Sequence, residues 1–232
     1  MKYSNESDIS ENPDSWSEVK KSFLKTKKNL FIEIKDTLIL IKNKPNKNLP
    51  ELWRIDSNLA KELNTDPCIV YIRPFTKCFL RTLSNNFRII VYSEIPPKLL
   101  NHIVELLQTK KQLIYLWISN YRTNAVKHLD QFMQNSHKYD SEVSDKDCIL
   151  KDKNKLNSKN SIIIDQDPKV AVRNSSNWVP VLKYRGLSND STLLYLEKYL
   201  LDLSTFEDVT VKIVNDFKLG ILKTNLNDSN MF

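Results

Sequence analysis

Apolar residues fall into short runs divided by charge, and two periodicities alternate along the chain. Asn29 to Ile34, Phe87 to Tyr92 and Ile162 to Ile164 are close to continuous apolar runs, and Trp178 to Leu182 is a further short one. Runs that stay apolar on successive positions predict strands buried on both faces, as in a parallel sheet. Between them the spacing turns helical. Phe75 to Leu83 predicts a helix entered through Pro74. Pro97 to Leu107 predicts a second helix, with Leu99, Leu100, Ile103, Leu106 and Leu107 on one side. Ser191 to Leu203 predicts a third, in which Thr192, Tyr195, Leu196, Tyr199 and Leu203 recur behind Asp190-Ser191. Strands alternating with helices predict an α/β domain, a three-layer sandwich whose mainly parallel central sheet is covered on both faces.

Polar stretches interrupt the pattern. Lys42 to Pro67 reads as an insertion after the first strand, and a second insert is expected over 110–160. That second stretch is densest in Ser, Asp, Lys and Asn between Asp140 and Asn160, a loop composition. Met1 to about Trp16 carries Glu6, Asp8, Glu11 and Asp14 and is expected to be disordered. The expected division is a polar, acidic tail over 1–21, one domain over 22–218 and a C-terminal tail over 219–232. A chain of 232 residues is long enough for such a domain to bury a substantial core.

Composition narrows the function classes. With only two glycines, Gly186 and Gly220, the chain cannot carry a Gly-rich phosphate loop of Rossmann or Walker type. The net charge of +7 is spread over several lysine runs, which read as solvated faces; contact with nucleic acid or an acidic partner is the sharper alternative. The three cysteines, Cys68, Cys78 and Cys148, include no CxxC pair, so neither a disulfide framework nor a zinc site is expected. His102, His128 and His137 lie apart and read as structural or surface residues. No window reaches the roughly 20 apolar residues of a membrane span. The amino terminus fits neither a secretory signal nor an Arg-rich transit peptide.

The candidate chemistry sits in Leu30-Phe31-Ile32-Glu33-Ile34-Lys35-Asp36-Thr37-Leu38, an apolar strand that ends in charge. The carboxyl end of such a strand is where an α/β sheet opens into a site. Together with Arg73-Pro74, Ile90-Val91-Tyr92-Ser93 and Ile162-Ile163-Ile164-Asp165, the segment resembles the haloacid-dehalogenase phosphatases. Its nearest branch is that of the RNA polymerase II C-terminal-domain phosphatases, also called NLI-interacting-factor-like. The resemblance implies an Asp-x-Asp-x-Thr motif on the first strand. Its first aspartate attacks phosphorus and ligates magnesium, and its second is the general acid and base. Here that frame reads Glu33-Ile34-Lys35-Asp36-Thr37, so both aspartates are replaced. Glu33 keeps a carboxylate one methylene too long, and a displacement of roughly 1 Å can cost about a hundredfold in rate. Lys35, with an ordinary pKa of about 10, has no lone pair at neutral pH and cannot be a base.

The resemblance assigns the remaining positions one at a time. Ser93 matches the hydroxyl that holds a phosphate oxygen, or equally a strand-end hydroxyl capping the next helix. Lys151 in Lys151-Asp152 matches the lysine that neutralises phosphate and nucleophile. Asp165 matches the magnesium-ligating aspartate, and Gln166 stands where active phosphatases have Asn or Asp. Arg73-Pro74 matches a helix-initiating pair and reads as architecture. No cofactor is expected: magnesium serves the active relatives, and here Lys35 is expected to pair with Glu33 or Asp165 in its place.

A degenerate branch fits further. Asp165-Gln166-Asp167-Pro168, Asn177-Trp178-Val179-Pro180-Val181, Gly186, Asp190 and Leu193-Leu194 run in the order seen in the TIM-fifty-type receptor subunit of the mitochondrial presequence translocase. Tyr199 through Phe217 is similar to its closing helices. The expectation is therefore a non-catalytic import-receptor domain binding basic presequences or translocase partners. The compartment implied is the mitochondrion or a related organelle, with cytoplasm or nucleus as the alternative because no transit peptide or anchor is seen. A serine/threonine phosphatase using Glu33 as nucleophile, and a basic scaffold for RNA or acidic protein, are the competing classes.

Overall fold

The computed structural model describes residues 27–49, 51–108, 113–119 and 157–219. The first apolar run forms β1 (Lys28–Glu33), buried along its whole length. The other strands are β2 (Ile39–Lys42), β3 (Glu51–Ile55), β4 (Cys68–Ile72), β5 (Phe87–Ser93), β6 (Leu116–Ser119), β7 (Ser161–Asp165) and β8 (Trp178–Pro180). The described helices are α1 (Ser57–Leu63), α2 (Thr76–Leu83), α3 (Pro97–Gln108), α4 (Ala171–Asn174), α5 (Thr192–Leu203) and α6 (Val209–Lys218).

The main sheet has five strands in the order β6-β5-β1-β7-β8, and every pairing in it is parallel. The α/β class with a mainly parallel central sheet is thus the observed architecture. β1 sits at the centre, which is why its run is apolar on consecutive positions: one face receives Leu30 and Ile32, the other Phe31. The first face is packed by Phe79, Leu80 and Leu83 of α2, Leu99, Leu100 and Ile103 of α3, Leu193, Leu196 and Leu200 of α5, and Val209 and Ile213 of α6. The second face carries Phe31, Ile90, Tyr92, Ile163 and Trp178 with Val170. Each such side chain contributes about 1.5–3 kcal/mol when fully buried. A one-residue slip of β1 inward would drag Glu33 into this apolar layer, so the register is fixed by charge as well as by fit.

The described residues of the stretch expected as an insertion over Lys42 to Pro67 form regular structure. It carries β3 and α1, and β3 joins β2 and β4 in a three-stranded antiparallel sheet of order β2-β4-β3. α1 is capped by Asp56, whose Oδ1 accepts from the amides of Asn58 and Leu59, and it ends on Asn64 in the left-handed conformation. One face of this small sheet buries Leu40, Ile69 and Tyr71 against Leu49 and Tyr184. Gly186 permits that closure: its φ is +88°, and a Cβ there would lie 2.7 Å from Leu49 Cδ1. Trp53 on β3 also meets His102 on α3, with ring centroids 5.4 Å apart. The other face of the small sheet, with Ile39, Ile55, Cys68 and Val70, belongs to the main core, so the two sheets pack together.

Three local expectations change. The helix after Pro74 starts at Thr76, with Pro74 in a turn and Phe75 left-handed at φ 67°. On α5 the buried stripe is Thr192, Leu193, Leu196, Leu200 and Leu203, so Tyr195 faces solvent. On α3 it is Val104 rather than Leu106 that joins the core, because the packed face is centred on Leu100 and Ile103.

Candidate functional site at the carboxyl ends of β1, β5 and β7

Parallel pairing brings Glu33, Tyr92 and Asp165 side by side. Glu33 lies opposite Tyr92, and Ile32 opposite Ile164, so the last residues of β1 and β7 are neighbours. Glu33, Ser93 and Asp165 are all buried. Ser93 Oγ donates to Glu33 Oε1 at 2.7 Å, and the amide of Lys35 donates to the same oxygen at 3.2 Å. The Asp165 carboxylate accepts the Tyr92 hydroxyl on Oδ2 at 2.7 Å and the Asp167 amide on Oδ1 at 2.8 Å. The indole N–H of Trp178 donates to the carbonyl of Asp165 at 3.0 Å and fixes the strand end. Burial first, and then the charges of Asp165 and Glu33, raise the pKa of Tyr92 well above the ordinary phenol range. The phenol is therefore a permanent donor at neutral pH.

Lys35 is placed otherwise than expected. No ion pair joins it to Glu33 or Asp165 among the described residues; its side chain is exposed. β1 ends at Glu33, and Asp36 takes the left-handed conformation at φ 62°. The amides of Leu38 and Ile39 then turn back to the carbonyl of Ile34. That tight turn breaks the strand alternation that would have set Lys35 beside Glu33. Asp tolerates this conformation better than most residues. The loop is pinned from outside by Lys183 Nζ on Asp36 Oδ2 at 2.9 Å and by the Tyr184 amide on the Asp36 carbonyl at 2.7 Å.

Thr37 is buried, and its Oγ1 has no hydrogen-bond partner among the described residues; its carbonyl accepts from Arg73 Nη1 at 3.0 Å. Arg73, 1% exposed, also reaches the carbonyl of Leu182 and both oxygens of Asp190, and lies over the Tyr184 ring. Burial lowers its pKa and the Asp190 carboxylate opposes that. Arg73 thus ties the loop after β1 to the loop before α5, a larger task than starting a helix. Gln166 is half-buried just after β7. Lys151 lies outside the described residues. Sequence reasoning passed over Tyr92 and Asp190 as site-building residues. Tyr92 could have been found as the hydroxyl-bearing side chain that closes the apolar run Ile89-Ile90-Val91 just before Ser93.

An open cavity of about 780 Å³ lies beside the loops that follow β1 and β5, walled by β2, α1 and α3. Ile41, Ala60, Ile95 and Leu99 supply apolar wall, and Lys35, Lys61, Asp66 and Glu94 supply charge. None of these four charged groups forms an ion pair among the described residues. Magnesium requires oxygen ligands in near-octahedral geometry. No group of three His, Cys, Asp or Glu side chains suited to a metal occurs among the described residues, and the Asp165 oxygens and Glu33 Oε1 are occupied by protein donors.

The profile of the family described as NLI interacting factor-like phosphatase matches residues 28–210. The chain belongs to that family. Among solved structures, that of Fcp1, an essential RNA polymerase II CTD phosphatase, has a TM-score of 0.54 at 11% identity, covering 90% of this chain and 70% of the other. At that identity the likeness establishes the fold. A fission yeast RNA polymerase II CTD phosphatase Fcp1 variant bound to beryllium fluoride also aligns, with a TM-score of 0.46 at 12% identity over 90% of this chain and 59% of that one. No curated protein matches the chain. No described helix of this family member is long and apolar enough to cross a membrane.

Proposed function

We propose that this phosphatase-fold domain binds a partner without turning over phosphate. The observation that carries the proposal is the pair Glu33 and Lys35. By the resemblance they stand where nucleophile and general acid stand, yet Glu33 is held by Ser93 and Lys35 is an exposed ammonium on the cavity wall. General acid–base help worth roughly a hundred- to ten-thousandfold would then be missing. What the site retains is a recognition cleft. Its volume suits a few side chains of a bound segment. Its apolar wall, on which Asp66 and Glu94 alternate with Lys35 and Lys61, suits an apolar segment whose basic residues fall at the two acids.

The partner we favour is a basic presequence or a translocase subunit, in a mitochondrion or related organelle. The TIM-fifty-like order of Asp165 to Pro168, Asn177 to Val181, Gly186 and Asp190 supports this choice. Titration with a fluorescent basic amphipathic presequence peptide tests it. Saturable binding that weakens at least severalfold in Asp66→Asn and Glu94→Gln is expected. Binding indifferent to both substitutions, or no binding, would contradict it.

A further inference from the structure

A second surface, away from the cleft, carries large apolar side chains in solvent. Phe75 is 46% exposed, Leu187 60%, Leu194 45% and Tyr195 57%. The buried Arg73–Asp190 pair draws them to one corner. Phe75 lies two residues beyond Arg73, and Leu187 closes a turn onto the Asp190 amide. Leu194 and Tyr195 lie on the first turns of α5, whose Thr192 amide Asp190 caps, and α2 packs on α5. The backbone at Phe75 is unusual as well. A bulky residue at φ 67° is strained, and here the strain holds a ring outside the core rather than inside it.

The fully exposed charges around this corner are positive. Lys77 and Arg81 on α2, Arg185 before Leu187, and Lys198 on α5 are all exposed. The nearby acids are engaged or withdrawn: Asp190 holds Arg73, and Glu197 is half-buried. Aromatic and aliphatic anchors with arginine among them and a cationic rim are the composition of a protein-docking patch, and the rim selects an acidic partner.

We infer that the Phe75–Tyr195 corner docks an acidic amphipathic segment of a partner protein. This surface is separate from the cleft, so its failure and that of the cleft reading are distinguishable. The discriminating variant is Phe75→Gly, because glycine accepts the left-handed backbone and removes the ring. Its melting temperature should be unchanged or higher than that of the parent. The probe is a labelled helical peptide with a Leu/Phe face and a Glu face, followed by anisotropy. We expect saturable binding that weakens about tenfold in Phe75→Gly and in Tyr195→Ser, and that stays unchanged in Asp66→Asn. A matched peptide with Lys in place of Glu should bind at this corner at least tenfold more weakly. Absence of saturable binding, or binding insensitive to both corner variants, would overturn the inference. So would loss of the Phe75 effect when phosphatidylserine vesicles compete and prove the tighter ligand, which would make the corner a membrane contact.

Discussion

Ser93 donates its hydroxyl to Glu33 across 2.7 Å, joining the ends of two neighbouring parallel strands inside a buried site. The contact orients the one carboxylate that β1 retains. Removing the donor leaves a buried acceptor under-satisfied, and a bond to a charged group contributes about 1.5–3 kcal/mol. Ser93→Ala should therefore lower unfolding free energy by roughly that amount with an unchanged denaturant slope. Urea unfolding followed by tryptophan fluorescence checks it. A loss within error of zero would mean the carboxylate is already satisfied without Ser93.

Arg73 and Asp190 form the buried ion pair on which three loops converge. Breaking such a pair from one side is worth about 3–5 kcal/mol, because the surviving charge stays buried. Arg73→Ala is expected to fall in that range. Arg73→Lys is expected to recover less than half, since a point charge cannot reach two carbonyls and both oxygens of Asp190 together. Thermal and urea unfolding of the three proteins, side by side, decides the matter.

Gly186 is the closure of the small sheet. Alanine there adds a Cβ 2.7 Å from Leu49 Cδ1 at a φ of +88°. The expected loss exceeds about 1 kcal/mol, since alanine is strained wherever φ is positive. Hydrogen exchange should quicken in β2 and β4 while β1 and β5 stay protected. Uniform acceleration across both sheets would show that the small sheet has no separate stability.

Tyr92 and Tyr199 give the alkaline limb. Burial, then neighbouring carboxylates, raises both phenols; Tyr199 donates to Asp216 at 3.0 Å. Tyrosines in the unfolded chain ionise near about pH 10, while these two keep their protons when folded. Their stabilisation is complete below about pH 10 and is lost as pH rises through the raised native values. Tyr199→Phe should shrink the fall in urea midpoint between about pH 8 and about pH 11, although it lowers stability at neutral pH. An equal fall in both proteins would assign the alkaline limb elsewhere.

How much of this was legible in the sequence differs between the two sheets. β1, β5 and β7 are central, so both their faces are apolar and their runs are unbroken; Glu33, Ser93 and Asp165 were then found as the residues where each run stops. The individual strands β2, β3 and β4 are not legible in the periodicity. They are short and antiparallel, and Lys, Asn and Pro between Lys42 and Pro67 hid the pairing of Cys68–Ile72 with residues far apart in sequence. The direction of Lys35 was not legible because a left-handed Asp36, held by Lys183 and Tyr184 from much later in the chain, sets it. The role of Arg73 depends in the same way on Asp190, 117 residues on.

The proposed function is binding without hydrolysis. The most direct measurement is phosphate release by the purified protein from a phosphoserine peptide and from an aryl phosphate, with millimolar magnesium. No release above a protein-free blank is expected. Metal-dependent release that Glu33→Gln abolishes would contradict it and make Glu33 a working nucleophile.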